Sequence, residues 1–130
     1  MLPTIDTKSL PLVRITYPSV LSPEDVDEYA AQVGRLLSRA RIATNVDIRQ
    51  IDPTVPGVAG RKYLAEAVDR VTKAHPGRLI AEAIVMDSAV LRGLYTAFCW
   101  VRKDTSYVSK AFGDVAGAET WVHAQIESLR

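Results

Sequence analysis

Arg78-Leu79-Ile80-Ala81-Glu82-Ala83-Ile84-Val85-Met86 decides the fold. Its apolar run is broken only by Glu82, and Asp87-Ser88 follows with a helix-capping pair. A short, nearly continuous apolar run predicts a strand covered on both faces, at the centre of a sheet rather than its rim. A strand covered twice requires helices above and below it, so the flanking sequence should carry them.

The flanks meet that requirement. After Ser88, Val90, Leu91, Leu94, Tyr95, Phe98 and Val101 fall at helical spacing. Before Arg78, a helix is expected from about Val58 to Ala74, with Leu64, Ala67, Val68 and Val71 on its buried stripe, ended by His75-Pro76-Gly77. Further upstream, Ile42 to Ile51 reads as a strand. Residues 11–17, Pro-Leu-Val-Arg-Ile-Thr-Tyr, alternate and read as a half-buried strand stopped by Pro18. Ser22-Pro23-Glu24-Asp25 opens a helix. Ser22 can cap free N–H groups, Pro23 suits the first helical position, and the acids face the positive end of the dipole. Val26, Tyr29, Ala30, Val33, Leu36, Leu37 and Ala40 continue it. Ser106 to Phe112 reads as the last strand. Gly113-Asp114 turns into a last helix carrying Ala118, Trp121, Val122, Gln125 and Ile126.

Strand–helix alternation predicts an α/β fold. The expectation is a single domain over residues 1–130, with a four-stranded, mostly parallel sheet and four crossover helices. The 130 residues suffice for a packed core without disulfides. Cys99 is the one cysteine, so no intrachain disulfide forms. The charge balance is 16 basic against 15 acidic residues, net +1, which argues against a nucleic-acid partner. No apolar run approaches the length of a transmembrane span, and Met1-Leu2-Pro3-Thr4-Ile5-Asp6 lacks the pattern of a signal peptide. The expected location is the cytoplasm.

Chemistry-bearing patterns are sparse. His75 sits in a helix-ending turn and His123 in the last helix, neither at metal-ligand or triad spacing from a partner. The P-loop signature is missing. Gly57-Val58-Ala59-Gly60 lacks the third glycine of a dinucleotide site. No cofactor, metal or catalytic group is expected. Glu24, Asp25, Asp27 and Glu28 are accounted for by the helix dipole and solubility.

Two places could carry function. The segment from Asp52 to Arg61 joins a strand's carboxyl end to a helix start, where ligands gather in open α/β sheets. Asp52, Thr54, Gly57 and Arg61 are its candidate regulatory or ligand-binding residues. A phosphate on Thr54 would find the helix dipole and Arg61 nearby, whereas turn hydrogen bonds alone would also explain Asp52 and Thr54. Trp100 falls off the apolar stripe of its helix, and with Trp121 it is the candidate lining of a pocket or an interface.

Several of these stretches resemble one family. Pro11-Leu12-Val13-Arg14-Ile15-Thr16, followed by Leu21-Ser22-Pro23-Glu24-Asp25 ahead of a helix, resembles the opening of STAS domains and their SpoIIAA-like relatives. Ala83-Ile84-Val85-Met86-Asp87-Ser88 resembles a strand that ends there in a polar turn. Ala111-Phe112-Gly113-Asp114-Val115-Ala116-Gly117-Ala118-Glu119-Thr120-Trp121-Val122 resembles the close of SpoIIAA-like chains. The resemblance implies a small non-enzymatic regulatory module, with a protein partner and a possible homodimer. The Asp-Ser-Ser-Gly phosphorylation motif of anti-sigma-antagonist members is absent. Its positional counterpart here is Asp52-Pro53-Thr54-Val55-Pro56-Gly57, with Thr54 the only hydroxyl. The SpoIIAA-like branch also resembles lipid-binding Sec14-type folds, which implies the alternative of a carrier with an apolar pocket for a small molecule or lipid. A small enzyme built on the Asp52–Arg61 segment is the third expectation.

Overall fold

A computed structural model describes residues 1–52, 58–101 and 106–129, with backbone only at 58–61 and 101. The elements in chain order are β1 (Thr4–Ser9), β2 (Leu12–Thr16), α1 (Pro23–Arg39), β3 (Ile42–Asp47), α2 (Val58–Ala74), β4 (Leu79–Val85), α3 (Ala89–Val101), β5 (Val108–Phe112) and α4 (Val115–Glu127). They form one five-stranded sheet in the order β1-β2-β3-β4-β5. The expected α/β class and helix positions are found, but the sheet has five strands, not four.

The extra strand is β1, antiparallel to β2 through Thr4↔Thr16, Ile5↔Ile15 and Asp6↔Arg14. Its sequence, Thr-Ile-Asp-Thr-Lys-Ser, has no apolar rhythm because it lies at the sheet edge and is mostly exposed. Pairing to β2, not burial, defines it, and the sheet is therefore mixed. Strands β2 to β5 are parallel.

The monotonic order β2-β3-β4-β5 fixes where the helices go. Right-handed crossovers that advance in one direction place every crossover helix on the same face. Accordingly α1 packs on α2 and α2 on α3. Among the described helices, only these three are crossovers. The fourth, α4, follows the edge strand β5 and folds back across the opposite face over β3, β4 and β5, which corrects the expectation of four crossovers.

Strand parity divides the core accordingly. Val13, Ile15, Tyr17, Val46, Ile48, Ile84 and Met86 join Val26, Tyr29 and Leu37 of α1 and Ala67 of α2 in the larger cluster. On the other face Leu12, Ala43, Ala81, Ala83 and Val85 meet Ala118, Val122 and Ile126 of α4. The alanines leave room for α4 to lie close on the strands, and its i, i+4, i+8 stripe fills that room. Arg14 of β2 ties the same face down by pairing with Glu119 of α4. Strand β4, one in from the edge strand β5 rather than at the middle of the sheet, is covered on both sides, as its apolar run predicts. β2 is likewise buried on both faces except near Arg14 and Thr16, so it is not half-buried.

Helix α1 starts as its sequence predicts. Ser22 Oγ accepts from Asp25 N–H and Asp25 Oδ2 from Ser22 N–H, a reciprocal capping box with Pro23 following the cap.

Candidate functional site

Under the three crossover helices, the larger cluster does not close completely. A cavity of about 110 Å3 lies near the carboxyl ends of β2 and β3. Its walls are mostly apolar. Val46 and Ile84 come from the sheet, Ile48 from just past β3, Leu21 from the segment before α1 and Val26 from the first turn of α1. Leu64 and Val68 come from α2, and Leu94 and Phe98 from α3. The polar groups that reach it are Ser19, Tyr17, Asp52, Tyr95 and Glu82. Among the described residues that line it there is no lysine, arginine or histidine.

Glu82 is the unusual member. It sits mid-strand in β4 and is 7% exposed. Strand parity dictates its direction: Ala81 and Ala83 face α4, so Glu82 faces the crossover helices. A buried carboxylate needs hydrogen bonds to be tolerated. Ser109 of neighbouring β5, its register partner, donates to Glu82 Oε1 over 3.3 Å. Tyr95 OH of α3 lies 2.8 Å from Ser109 Oγ. A chain of three polar groups therefore crosses from α3 through the edge strand β5 to its neighbour β4. Burial pushes the Tyr95 phenol up to about 12, against the opposing pull of its bond to Ser109.

Tyr17 and Tyr29 form a second polar pair beside Glu82. Their rings meet edge-on with centroids 5.3 Å apart. Burial raises both phenols above their ordinary range, and the neighbouring Glu82 carboxylate adds to each shift. A smaller void of about 20 Å3 lies between Tyr29 and β3, lined by Ile15, Tyr29, Thr44, Val46 and Glu82 among others.

The expected site residues are distributed differently. Asp52 does reach the cavity, and its N–H donates to Ser19 O at 2.9 Å, tying the two loops of that rim together. Thr54 and Gly57 lie outside the described residues. Arg61 is described only as a backbone position in the first turn of α2. The two tryptophans are not brought together. Trp100 on α3 is 82% exposed, whereas Trp121 on α4 packs against Phe112, centroids 5.5 Å apart, on the opposite face of the sheet. Neither lines the cavity. His75 and Cys99 are half-buried and His123 is exposed. No group of three metal-ligating side chains occurs among the described residues, and no described helix is long and apolar enough to cross a membrane.

Glu82, Ser109, Tyr95 and Tyr17 were not singled out by motif or spacing. One signal pointed to the first of them. A single charged residue inside a strand that is otherwise apolar, and covered on both faces, must meet polar groups in the interior. Nothing local marks the other three, which come together only through the pairing of β4 with β5 and the docking of α3.

No family model, curated protein or solved structure matches this chain.

Proposed function

We propose that this chain is a SpoIIAA-like binding module of the carrier kind, which holds a small, mainly apolar molecule under α1, α2 and α3 and acts without turnover. The cavity carries this reading. Protein interiors rarely keep voids larger than a water molecule. At roughly 24 cal/mol per Å3, a closed void of 110 Å3 would cost about 2.6 kcal/mol, an upper figure for a cavity with some access to solvent. A ligand that restores the missing contacts recovers part of that cost. The volume is somewhat below the roughly 150 Å3 of an engineered apolar cavity that takes benzene, so a ring or short chain fits.

The test is titration with ring-sized apolar ligands while following the methyl resonances of Val46, Val68 and Ile84. Saturable shifts confined to these methyls are expected. A panel that leaves all of them unmoved would refute the carrier reading.

The regulatory reading, in which the module acts through a protein partner or its own dimer, has one observation in its favour. Val90 and Trp100 on the outer side of α3 are 57% and 82% exposed. Large exposed apolar side chains are common at interfaces. Self-association through this face would shift Trp100 emission to shorter wavelength as protein concentration rises. Emission independent of concentration, with a monomer by sedimentation, would remove the dimer.

A further inference from the structure

We infer that the molecule held in the cavity carries a short neutral arm ending in a hydroxyl, and that this arm runs between β3 and α2 to bond with Thr44. This rests on the cavity being a ligand site. It adds the shape of the ligand and the group that reads its polar end.

Thr44 is the polar member of an apolar row. Ile42, Thr44 and Val46 share the face of β3 that lies under the crossover helices, and Thr44 is 4% exposed. Valine has the same branched shape and suits a strand equally, so packing alone does not call for the hydroxyl. Thr44 Oγ1 has no hydrogen-bond partner among the described residues. Buried side-chain polar atoms are nearly always bonded, and an unbonded one needs a reason. A ligand that bonds there supplies one.

The hydroxyl faces the smaller void of about 20 Å3, which adjoins the larger cavity. Val46, Val68 and Glu82 line both spaces. The sheet is the floor of each and α2 forms part of the roof, so the division between them is made of side chains. Side chains change rotamer far more readily than layers move. Along β3, Thr44 is two residues from Val46, about 7 Å at the rise of a strand. A short alkyl arm spans that distance from a ring seated in the larger cavity.

Thr72 of α2 also lines the small void. Its hydroxyl donates to Asp69 O at 3.1 Å, which leaves its oxygen to accept. Thr44 can both donate and accept, and a ligand hydroxyl, with the same two capacities, suits the pair. A charged arm would lose more hydration than two neutral hydroxyls restore. An anionic arm would also meet no lysine, arginine or histidine among the described residues lining either space. One neutral hydrogen bond corresponds to about fivefold in affinity.

Four probes with one ring test this: toluene, benzyl alcohol, 2-phenylethanol and 3-phenylpropan-1-ol. Each is titrated into the wild-type chain, Thr44→Val and Thr44→Ser, with the Thr44 methyl of the wild type and the Val46 and Ile84 methyls of all three chains as readout. At least one of the two longer alcohols is expected to shift the Thr44 methyl and to bind about fivefold or more weaker to Thr44→Val. Thr44→Ser should keep most of that affinity, and toluene should bind the three chains alike. Longer alcohols that leave the Thr44 methyl unmoved, or that bind wild type and Thr44→Val equally, overturn the inference while leaving the cavity a ligand site. A loss in Thr44→Ser as large as in Thr44→Val, or an equal loss for toluene, would assign the effect to shape and overturn it too. Binding of none of the four overturns the carrier reading and this inference with it.

Discussion

Thr44 and Glu82 stand opposite each other across the parallel pairing of β3 with β4, and both line the same small void of about 20 Å3. Their environments differ in one respect. Glu82 receives the Ser109 hydroxyl, whereas Thr44 Oγ1 is buried and has no hydrogen-bond partner among the described residues. A buried hydroxyl without a partner costs about 1–3 kcal/mol of desolvation. Thr44→Val keeps the branched shape and removes that group. The variant is expected to be more stable by about 1 kcal/mol, read as a higher urea midpoint at unchanged slope. A loss of similar size would mean that Thr44 bonds to something in solution.

The chain Tyr95–Ser109–Glu82 behaves as a unit if its hydrogens are ordered as bonded. Tyr95→Phe removes one link and Ser109→Ala both. A double-mutant cycle on this pair should give a coupling of about 1 kcal/mol, because the two side chains share one bond and a common neighbour. Coupling below about 0.3 kcal/mol in thermal or urea unfolding would show the three groups to be independent.

The elements legible from sequence are those whose rhythm is dictated by burial. α1 was marked by its cap and stripe, α2 by the spacing of Leu64, Ala67, Val68 and Val71, and β4 by its apolar run. β1 is not legible, since this edge strand packs only Ile5 against the core and leaves most of its residues exposed, too little for an apolar rhythm to record. The side of the sheet taken by α4 was not legible either. The clue was Ala43, Ala81 and Ala83 at alternate positions, and small residues signal a close approach only once the register is known. For the site, the rule that ligands gather at strand carboxyl ends points to Asp52, which lies on the cavity wall, while nothing in the sequence points to the cavity's polar end. Glu82 and Ser109 are 27 residues apart and become neighbours only through strand order.

Alkaline pH should unfold this protein through Tyr17 and Tyr29. Burial raises both phenols above the ordinary value near 10, so the native state holds their protons more tightly than the unfolded chain. Their contribution to stability is complete below about pH 10. It is lost as pH rises beyond that, because the unfolded state ionises first. Each phenol contributes a slope of about 1.4 kcal/mol per pH unit in that window. Tyr17→Phe should flatten the fall measured by urea unfolding between pH 9 and 11, whatever it does at pH 7. A wild-type stability that stays level across this interval, or a variant with the same slope, would contradict the burial of these phenols.

Filling the cavity should separate stability from binding. Val68 of α2 faces the void from the helix side, where a larger side chain has space ahead of it rather than a packed neighbour. Val68→Phe places a phenyl ring where the ligand's ring would lie. Cavity filling commonly yields about 0.5–2 kcal/mol, and the same ring excludes any molecule that uses the void. The expected variant therefore melts at a higher temperature and no longer responds to toluene or benzyl alcohol at the Val46 and Ile84 methyls. Overpacking would appear instead as destabilisation of about 1–3 kcal/mol. That outcome, with ligand shifts retained, would show that the space beneath α2 is already used by neighbouring side chains and that the probes bind elsewhere.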